Sequence, residues 1–440
     1  MANSFNKEER VAFENLLEGF NDALVLSRNV SIYNTDQTMM ERTNNVIWRP
    51  QPYIATSLSN AGVGTDISLL PGGGYASYTQ LAVPASINQT RTVAFELNAQ
   101  ELRDALQEQR LGNSAKQKLA SDINVSVLNI AANQGTLVVK RAAAAGATSG
   151  FDDVAQCEAI FNEQGIMDGD RYLALNTRDY NGLANDLAKA SRSFGNQKSD
   201  KAYERAYVGM VASFDIYKLD YAVRLAAGSA TATINTTIGG GNSYTPKAIS
   251  TSPTTSERLN VDNRYQSLTV AVSAGALAAG DAFTIAGINA VHHITKGDTG
   301  QPKTFRVISA SAPAGGTQAI VISPPIISNQ VANAASAQNQ NCVIVTAASN
   351  AAITLLNAVA APVNCFWHKD AIEILPGRYS LPDNAGVAVM RGSTDQGLEL
   401  VMTKRFDQNT LTTKYRVDTF YGVVNKQPEM SGIILFNQGS

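Results

Sequence analysis

The residues of this chain able to do chemistry are few. Only three histidines occur in 440 residues. His292 and His293 are adjacent in VHHITKGD, so on a strand they point to opposite faces and cannot share one metal ion. His368 has Cys365 nearby in VNCFWHKDAIEIL, but that spacing implies no general-base geometry. The acidic pairs Asp152–Asp153 and Asp168–Asp170 read more simply as helix caps and turns than as a catalytic dyad. The glycine runs PGGGY and IGGGNS lack the lysine and hydroxyl of a phosphate-binding loop and read as hinges. No G-x-S-x-G nucleophile elbow is present. The expectation is no catalytic residue, no metal and no cofactor, which makes an enzyme the weaker class.

Composition points the same way. Hydrophobic residues make up 44% of the chain and charged residues only 16%, against about 25% charged in an ordinary globular protein. Few charges beside much Ala, Asn, Ser, Thr and Gly favour a subunit that hides surface in partners. The net charge of −2 offers no clustered basic footprint for tight nucleic-acid binding. The start MANSFNKEERVAFENLLEG lacks the basic and apolar regions of a signal peptide. No uncharged apolar run approaches the roughly 18 residues of a membrane span. Cys157, Cys342 and Cys365 are odd in number and far apart, which suits a reducing cytoplasm better than a disulfide framework.

These sparse side chains sit on elements legible from spacing. Phe13, Leu16, Leu17, Phe20 and Leu24 form one stripe of an N-terminal helix. Glu14, Glu18 and Asp22 line another face, either solvated or a docking ridge for a basic partner. Arg49–Thr92 is rich in Gly, Ser, Thr, Asn and Pro and cannot build a core alone. It reads as a long hairpin completed by another subunit, with PGGGY (Gly72, Gly73, Gly74) at its tip. A helix capped by Asn113 or Ser114 carries Leu119, Ile123, Val127 and Ile130, with Gly135 suited to the left-handed residue past its end. QGTLVV follows as a buried strand. Further on, the spacing predicts a helix at Val154–Glu163, a strand at Tyr172–Leu175 and a helix in NTRDYNGLANDLAK.

The middle of the chain differs. LNVDNRYQSLTVAVSAGALAAGDAFTIAGI alternates in twos, which is strand spacing, inside a host whose preceding text is helical. From about Ala226 to Thr346, short strands divided by Gly and Pro predict an inserted small sandwich or barrel. A helix is expected to resume in AASNAAITLLNAVAA, and KYRVDTFYGVV and SGIILF to close the sheet left unfinished before the insert.

Several stretches resemble, in order, the major coat (capsid) proteins of short-tailed, Salmonella-type phages. They are MERTNNVIWRP, ELNAQELRD, SAKQKLASDINVSVLNIAANQGTLVV, LNVDNRYQSLTV, AAGDAFTIAGI, VNCFWHKDAIEIL and FYGVVNKQPEMSGIIL. The resemblance implies an α+β chain with the tailed-phage, Hong-Kong-97-type capsid fold: peripheral and axial domains, an extended loop, and an inserted all-β domain. The implied segments are an N-terminal arm helix at 1–33, the extended loop region at 34–95, and a peripheral domain with its spine helix at 96–150. Next come axial parts at 151–225 and 347–400, either side of the insert at 226–346, and peripheral C-terminal strands at 401–440.

By the same resemblance Glu14 and Glu18 fall where such coat proteins bind the basic end of a scaffolding protein. The extended loop, from Arg49 past Gly72–Gly74 to Arg91, would lie on a neighbouring subunit. An insert loop near Gly239–Glu257, including Lys247 and Glu257, would contact a neighbour across a two-fold axis. Leu119, Ile123, Val127 and Ile130 would be the spine-helix core. The implied function is a virion subunit that forms hexamers and pentamers of an icosahedral procapsid on a scaffold in the bacterial cytoplasm. A portal protein would occupy one vertex, and the shell would expand around double-stranded DNA bound without sequence specificity. No lysine lies between Lys7 and Lys116, so Lys–Asn cross-links from the extended loop are not expected. The alternatives are an encapsulin-like protein shell and an enzyme using a cleft between host and insert.

Overall fold

The computed structural model describes residues 7–33, 46–52, 63–64, 66, 68, 78–98, 105–142, 150–190, 208–221, 223–234, 242–328, 330, 334–346, 350–381 and 387–439. The chain divides into two compact units. The first holds Met1–Ile47, Pro84–Ile130 and Ile372–Asn425; the second holds Trp48–Val83, Ala131–Ala371 and Lys426–Ser440.

In the first unit, helix α1 (Lys7–Ala23) buries Phe13, Leu16 and Phe20, with Leu24 buried just past its end. Asn124 finishes that end: its Oδ1 accepts the Leu26 amide at 3.2 Å and its Nδ2 donates to the Ala23 carbonyl at 3.2 Å. Helix α2 runs from Ala105 to Gln134, 30 residues, or about 45 Å at 1.5 Å per residue. Asn113 and Ser114 therefore lie inside the helix and do not cap it. The preceding run ALQEQRL is made of good helix formers, which carry the helix eight residues further back. The buried stripe is Ala115, Leu119, Ile123, Val127 and Ala131, with Leu128 beside it, while Ile130 is only half-buried. Ser126 on α2 bonds the Tyr421 hydroxyl at 2.9 Å.

The sheet of this unit runs Ser31–Ile32, Ile372–Pro376, Thr412–Asn425, Glu399–Asp407, Ala388–Ser393, with Gln89–Asn98 also paired to Thr412–Asn425. The strands Ile372–Pro376 and Ala388–Ser393 thus belong here, and the chain changes unit after Ala371. KYRVDTFYGVV likewise pairs in this sheet, while SGIILF pairs in another. The two closing strands read from the sequence serve different units.

In the second unit a mixed sheet runs Leu137–Lys140, Ser431–Leu435, Ala361–His368, Arg171–Asn176, Phe214–Leu219, Met210–Val211. Helices α3 (Phe151–Glu163) and α4 (Thr177–Ala190) cover it through Val154, Cys157, Phe161 and Leu183, packed with Leu173, Phe214 and Phe366. Gly432 shows how close its neighbours come, since a Cβ there would lie 2.5 Å from the Leu137 carbonyl oxygen.

The insert in this unit is a closed barrel. Its ring runs Asp298–Ala310, Thr317–Ser323, Gln266–Ala274, Thr231–Ile234, Ala352–Leu355, Ala282–Val291 and back to Asp298–Ala310. Cys342–Ile344 adds to Ala282–Val291 outside the ring. Closure leaves no free edge in the ring itself. The ring needs Ala352–Leu355, so the insert passes Thr346, and the helix expected in AASNAAITLLNAVAA is a strand there. Period two decides the matter, because Ile353 enters the barrel core while Ala352 and Thr354 face out. Asn357 then stitches the chain's departure to its return. Its Nδ2 donates to Ala226 at 3.0 Å, and its carbonyl accepts the Gly228 amide at 2.8 Å.

Phe283 is fully buried and stacks on Phe305 with centroids 5.7 Å apart. Phe283→Ala is expected to destabilise the insert by roughly 3–5 kcal/mol, read as a lower urea midpoint at unchanged slope. A loss below about 1 kcal/mol would contradict a close-packed barrel.

Candidate functional site

The surfaces available for assembly can be built from single side chains. Glu14 and Glu18 stand one turn apart on the exposed face of α1. The opposite face is pinned by its apolar stripe and by Glu9, which is buried, ion-paired with Lys404 and accepts the Tyr415 hydroxyl at 3.1 Å. The exposed carboxylates therefore ride on an anchored helix.

Arg49 lies on the strand Val46–Pro50, and Arg91 is exposed on Gln89–Asn98 opposite Thr419. Gly72, Gly73 and Gly74 lie outside the described residues. Between these limits, the base of the loop is fixed inside the second unit. Gln51 receives Gln80 Nε2 at 2.7 Å and donates its own Nε2 to the Lys426 carbonyl at 3.0 Å. Thr79 donates its amide to Gln338 Oε1 of the insert at 3.1 Å.

A third surface is the hairpin Ile249–Thr251 with Arg258–Asn260, which pairs Ile249 with Asn260 and Thr251 with Arg258. All six of its strand residues are exposed, Ile249 at 42% and Leu259 at 53%. A two-stranded ribbon with no buried face is marginal by itself. Here its root is held by Asn263, which accepts the Lys247 amide at 3.0 Å and donates to the Lys247 carbonyl at 2.8 Å. Lys247 and Glu257 both reach solvent.

The ionisable groups do not assemble into a reactive centre. Among the described residues no group of three or more His, Cys, Asp or Glu could hold a metal ion. All three cysteines are buried, and burial pushes the Cys342 and Cys365 thiols up to about 12 and Cys157 further. Such thiols are poor nucleophiles, since the thiolate is the reactive form. No described helix is long and apolar enough to cross a membrane.

Sequence reasoning missed a buried charge cluster where the insert meets its host. Lys303, on the strand Asp298–Ala310, pairs with Glu429 of the turn Pro428–Met430. Burial pushes the Glu429 carboxyl up, but Lys303, His293 and Lys296 outweigh it and hold it below its ordinary value. The His293 amide donates to the Gln164 carbonyl at 3.0 Å, and its imidazole is driven down to about 4, chiefly by burial. The two histidines lie in the turn that follows the strand Ala282–Val291 and not on the strand itself, and the His292 ring packs on Gly165, where a Cβ would come within 2.7 Å. No local motif could reveal this cluster, because Glu429 lies 126 residues from Lys303.

A model of the family described as "P22 coat protein - gene protein 5" matches residues 1–437. The chain belongs to the P22 coat protein family. That assigns it to the shell of a phage virion as a structural, homo-oligomeric capsid subunit. The fold is the tailed-phage capsid fold with an inserted β domain. Among solved structures, the chain is similar to one of Mycobacterium phage Che8, with 10% identity, 93% of this chain and 90% of that chain covered, and a TM-score of 0.43. It is similar to the head structure of Helicobacter pylori bacteriophage KHP40 at 10% identity, with coverage of 93% and 88% and a TM-score of 0.42. It is also 37% identical to the CUS-3 coat protein I-domain, over 30% of this chain and 99% of that one, with a TM-score of 0.21.

The cluster predicts an acid-sensitive coat protein. His293 titrates near 4 when folded, below its ordinary 6.5. Its stabilising neutral form is complete above pH 6.5, and stability is lost as pH falls from there toward 4. Lys303, Lys296 and His292 oppose its protonation and only Glu429 favours it. Urea midpoints measured from pH 7.5 to 4.5 should fall by on the order of a few kcal/mol in stability. His293→Gln should flatten that stretch; an unchanged profile would exclude His293 as its source.

Proposed function

We propose that this coat protein forms the hexamers and pentamers of an icosahedral procapsid, assembles on a scaffolding protein, and expands as double-stranded DNA enters. The observation that carries the scaffold reading is α1, whose buried face is anchored while Glu14 and Glu18 project one turn apart. A basic helical segment fits that pair. Each exposed ion pair contributes only about 0–1 kcal/mol, so the contact is reversible and salt-sensitive, as a departing scaffold requires. Assembly takes place in the bacterial cytoplasm, with a portal protein at one vertex.

The other surfaces serve contacts between copies. The extended loop bounded by Arg49 and Arg91, with Gly72–Gly74 at its tip, lies on a neighbouring subunit. The hairpin that follows Lys247 and carries Glu257 in its connection meets a neighbour across a two-fold axis, where Ile249 and Leu259 gain the cover they lack in the monomer. Closed symmetry repeats each weak contact many times, so the shell is strong while single contacts stay reversible. A net charge of −2 leaves the lining without a strong hold on DNA, which can slide during packaging.

Co-expression with the scaffolding protein tests the first contact. Glu14→Lys with Glu18→Lys should abolish scaffold co-sedimentation while α1 stays folded. Glu14→Gln with Glu18→Gln should weaken it by about tenfold, and retention by both double variants would refute the assignment. Mature shells denatured in detergent should run as a single 46.7 kDa band. A ladder of covalent multimers would refute a shell held by non-covalent burial.

A further inference from the structure

Helix α2 ends in an unusual way. The last four carbonyls of a helix have no partner within it and need capping from elsewhere. Gly135 does not take the left-handed conformation that a glycine cap uses, for it is absent from the positive-φ glycines among the described residues. Its amide instead continues the helical pattern to the Ala131 carbonyl at 3.0 Å. Glycine is needed there for space, since a Cβ would lie 2.7 Å from the Ala131 carbonyl oxygen and 3.1 Å from the Gly432 nitrogen.

The cap comes from the inserted barrel. Arg306 is fully buried on the strand Asp298–Ala310. Its Nη2 donates to the Ala132 carbonyl at 2.9 Å, and its Nη1 to the Gly135 carbonyl at 3.3 Å. Its Nε donates to the Gly280 carbonyl of the barrel itself at 3.1 Å. Two residues earlier on the strand, Thr304 Oγ1 donates to the Thr136 carbonyl at 2.7 Å. Lys303 beside it holds Glu429, next to Pro428, whose carbonyl accepts both the amide and the hydroxyl of Thr136. One stretch of barrel strand therefore grips the helix end and the turn against which that end rests. A cation at the negative end of the helix dipole is favourable, and a guanidinium without water must find such acceptors.

We infer that Arg306 is the positioning residue of the α2 terminus: the inserted barrel supplies the helix cap, so the end of α2 and the strand Leu137–Lys140 open and close with the barrel. The local stability of residues 132–140 is then a property of the insert 170 residues away in sequence, more than of the helix that contains them. This goes beyond the capsid reading and does not depend on it.

Native-state hydrogen exchange on the full-length monomer, followed against urea, tests the inference without any substitution. The amides of Gly135, Thr136 and Val139 should open with the same urea dependence as barrel amides such as Val270 and Ile285. If they open with the Leu119–Val127 part of α2 instead, the inference fails. Arg306→Met should then raise exchange at 133–140 by tenfold or more, while Val270 and Ile285 change less than threefold. Arg306→Lys, which keeps the charge but not the fork, should fall between. Equal loosening everywhere, or none at 133–140, would make Arg306 an ordinary core residue. If Arg306→Met gives no folded protein, the urea series and Arg306→Lys still decide the question.

Discussion

The structure depends on satisfying buried polar groups where the barrel joins its host. A barrel inserted between two strands of another sheet must bury backbone at its point of departure and return, and buried N–H and C=O groups left without partners are costly. Asn357, on the returning chain, bonds Ala226 and Gly228 of the departing chain and also Asp281 and Ala282. Arg306 and Thr304 close the buried end of α2, and Lys303 with Glu429 closes the turn beside it. Arg306, Thr304 and Lys303 each reach across the junction from one strand of the barrel.

That arrangement lets a low-charge chain join two cores within the second unit. The second unit owes its shape to two apolar cores, one under α3 and α4 and one inside the barrel, joined by a polar seam. The apolar cores supply most of the stabilisation, in proportion to area removed from water. The seam supplies direction, because the Arg306 guanidinium donates to two host carbonyls, of Ala132 and Gly135, while its Nε is held by the barrel's own Gly280. A buried ion pair is weak support for stability by itself, yet losing one partner leaves an uncompensated charge. The seam is therefore where small chemical changes have large effects, and acid is one such change because His293 lies in it.

The parts suited to assembly are those the monomer leaves incomplete. The hairpin carrying Ile249 and Leu259 has no buried face, and Glu14 and Glu18 stand exposed on α1. A coat protein needs such surfaces, since a chain that satisfied all its own edges would have nothing left with which to join copies of itself.

Much of this was readable in one dimension. The stripe of α1, the buried run of Leu119, Ile123 and Val127, the strand at Leu137–Lys140 and the presence of an inserted β module follow from side-chain period, which local backbone geometry imposes. Family membership was legible in ordered motifs from MERTNNVIWRP to FYGVVNKQPEMSGIIL. What the sequence could not settle were matters of partnership. Ala352–Leu355 looks like a helix until the barrel claims it as the strand that closes the ring. Ile372–Pro376 follows Ala361–His368 closely in the chain, yet pairing assigns it to the other unit. Gly135 looks like a left-handed cap until Arg306 arrives to take the carbonyls. Local spacing determines which face of an element is apolar; only the folded chain decides what meets that face, because those contacts join residues far apart in sequence, from Ile372 with Asn425 to Gly135 with Arg306.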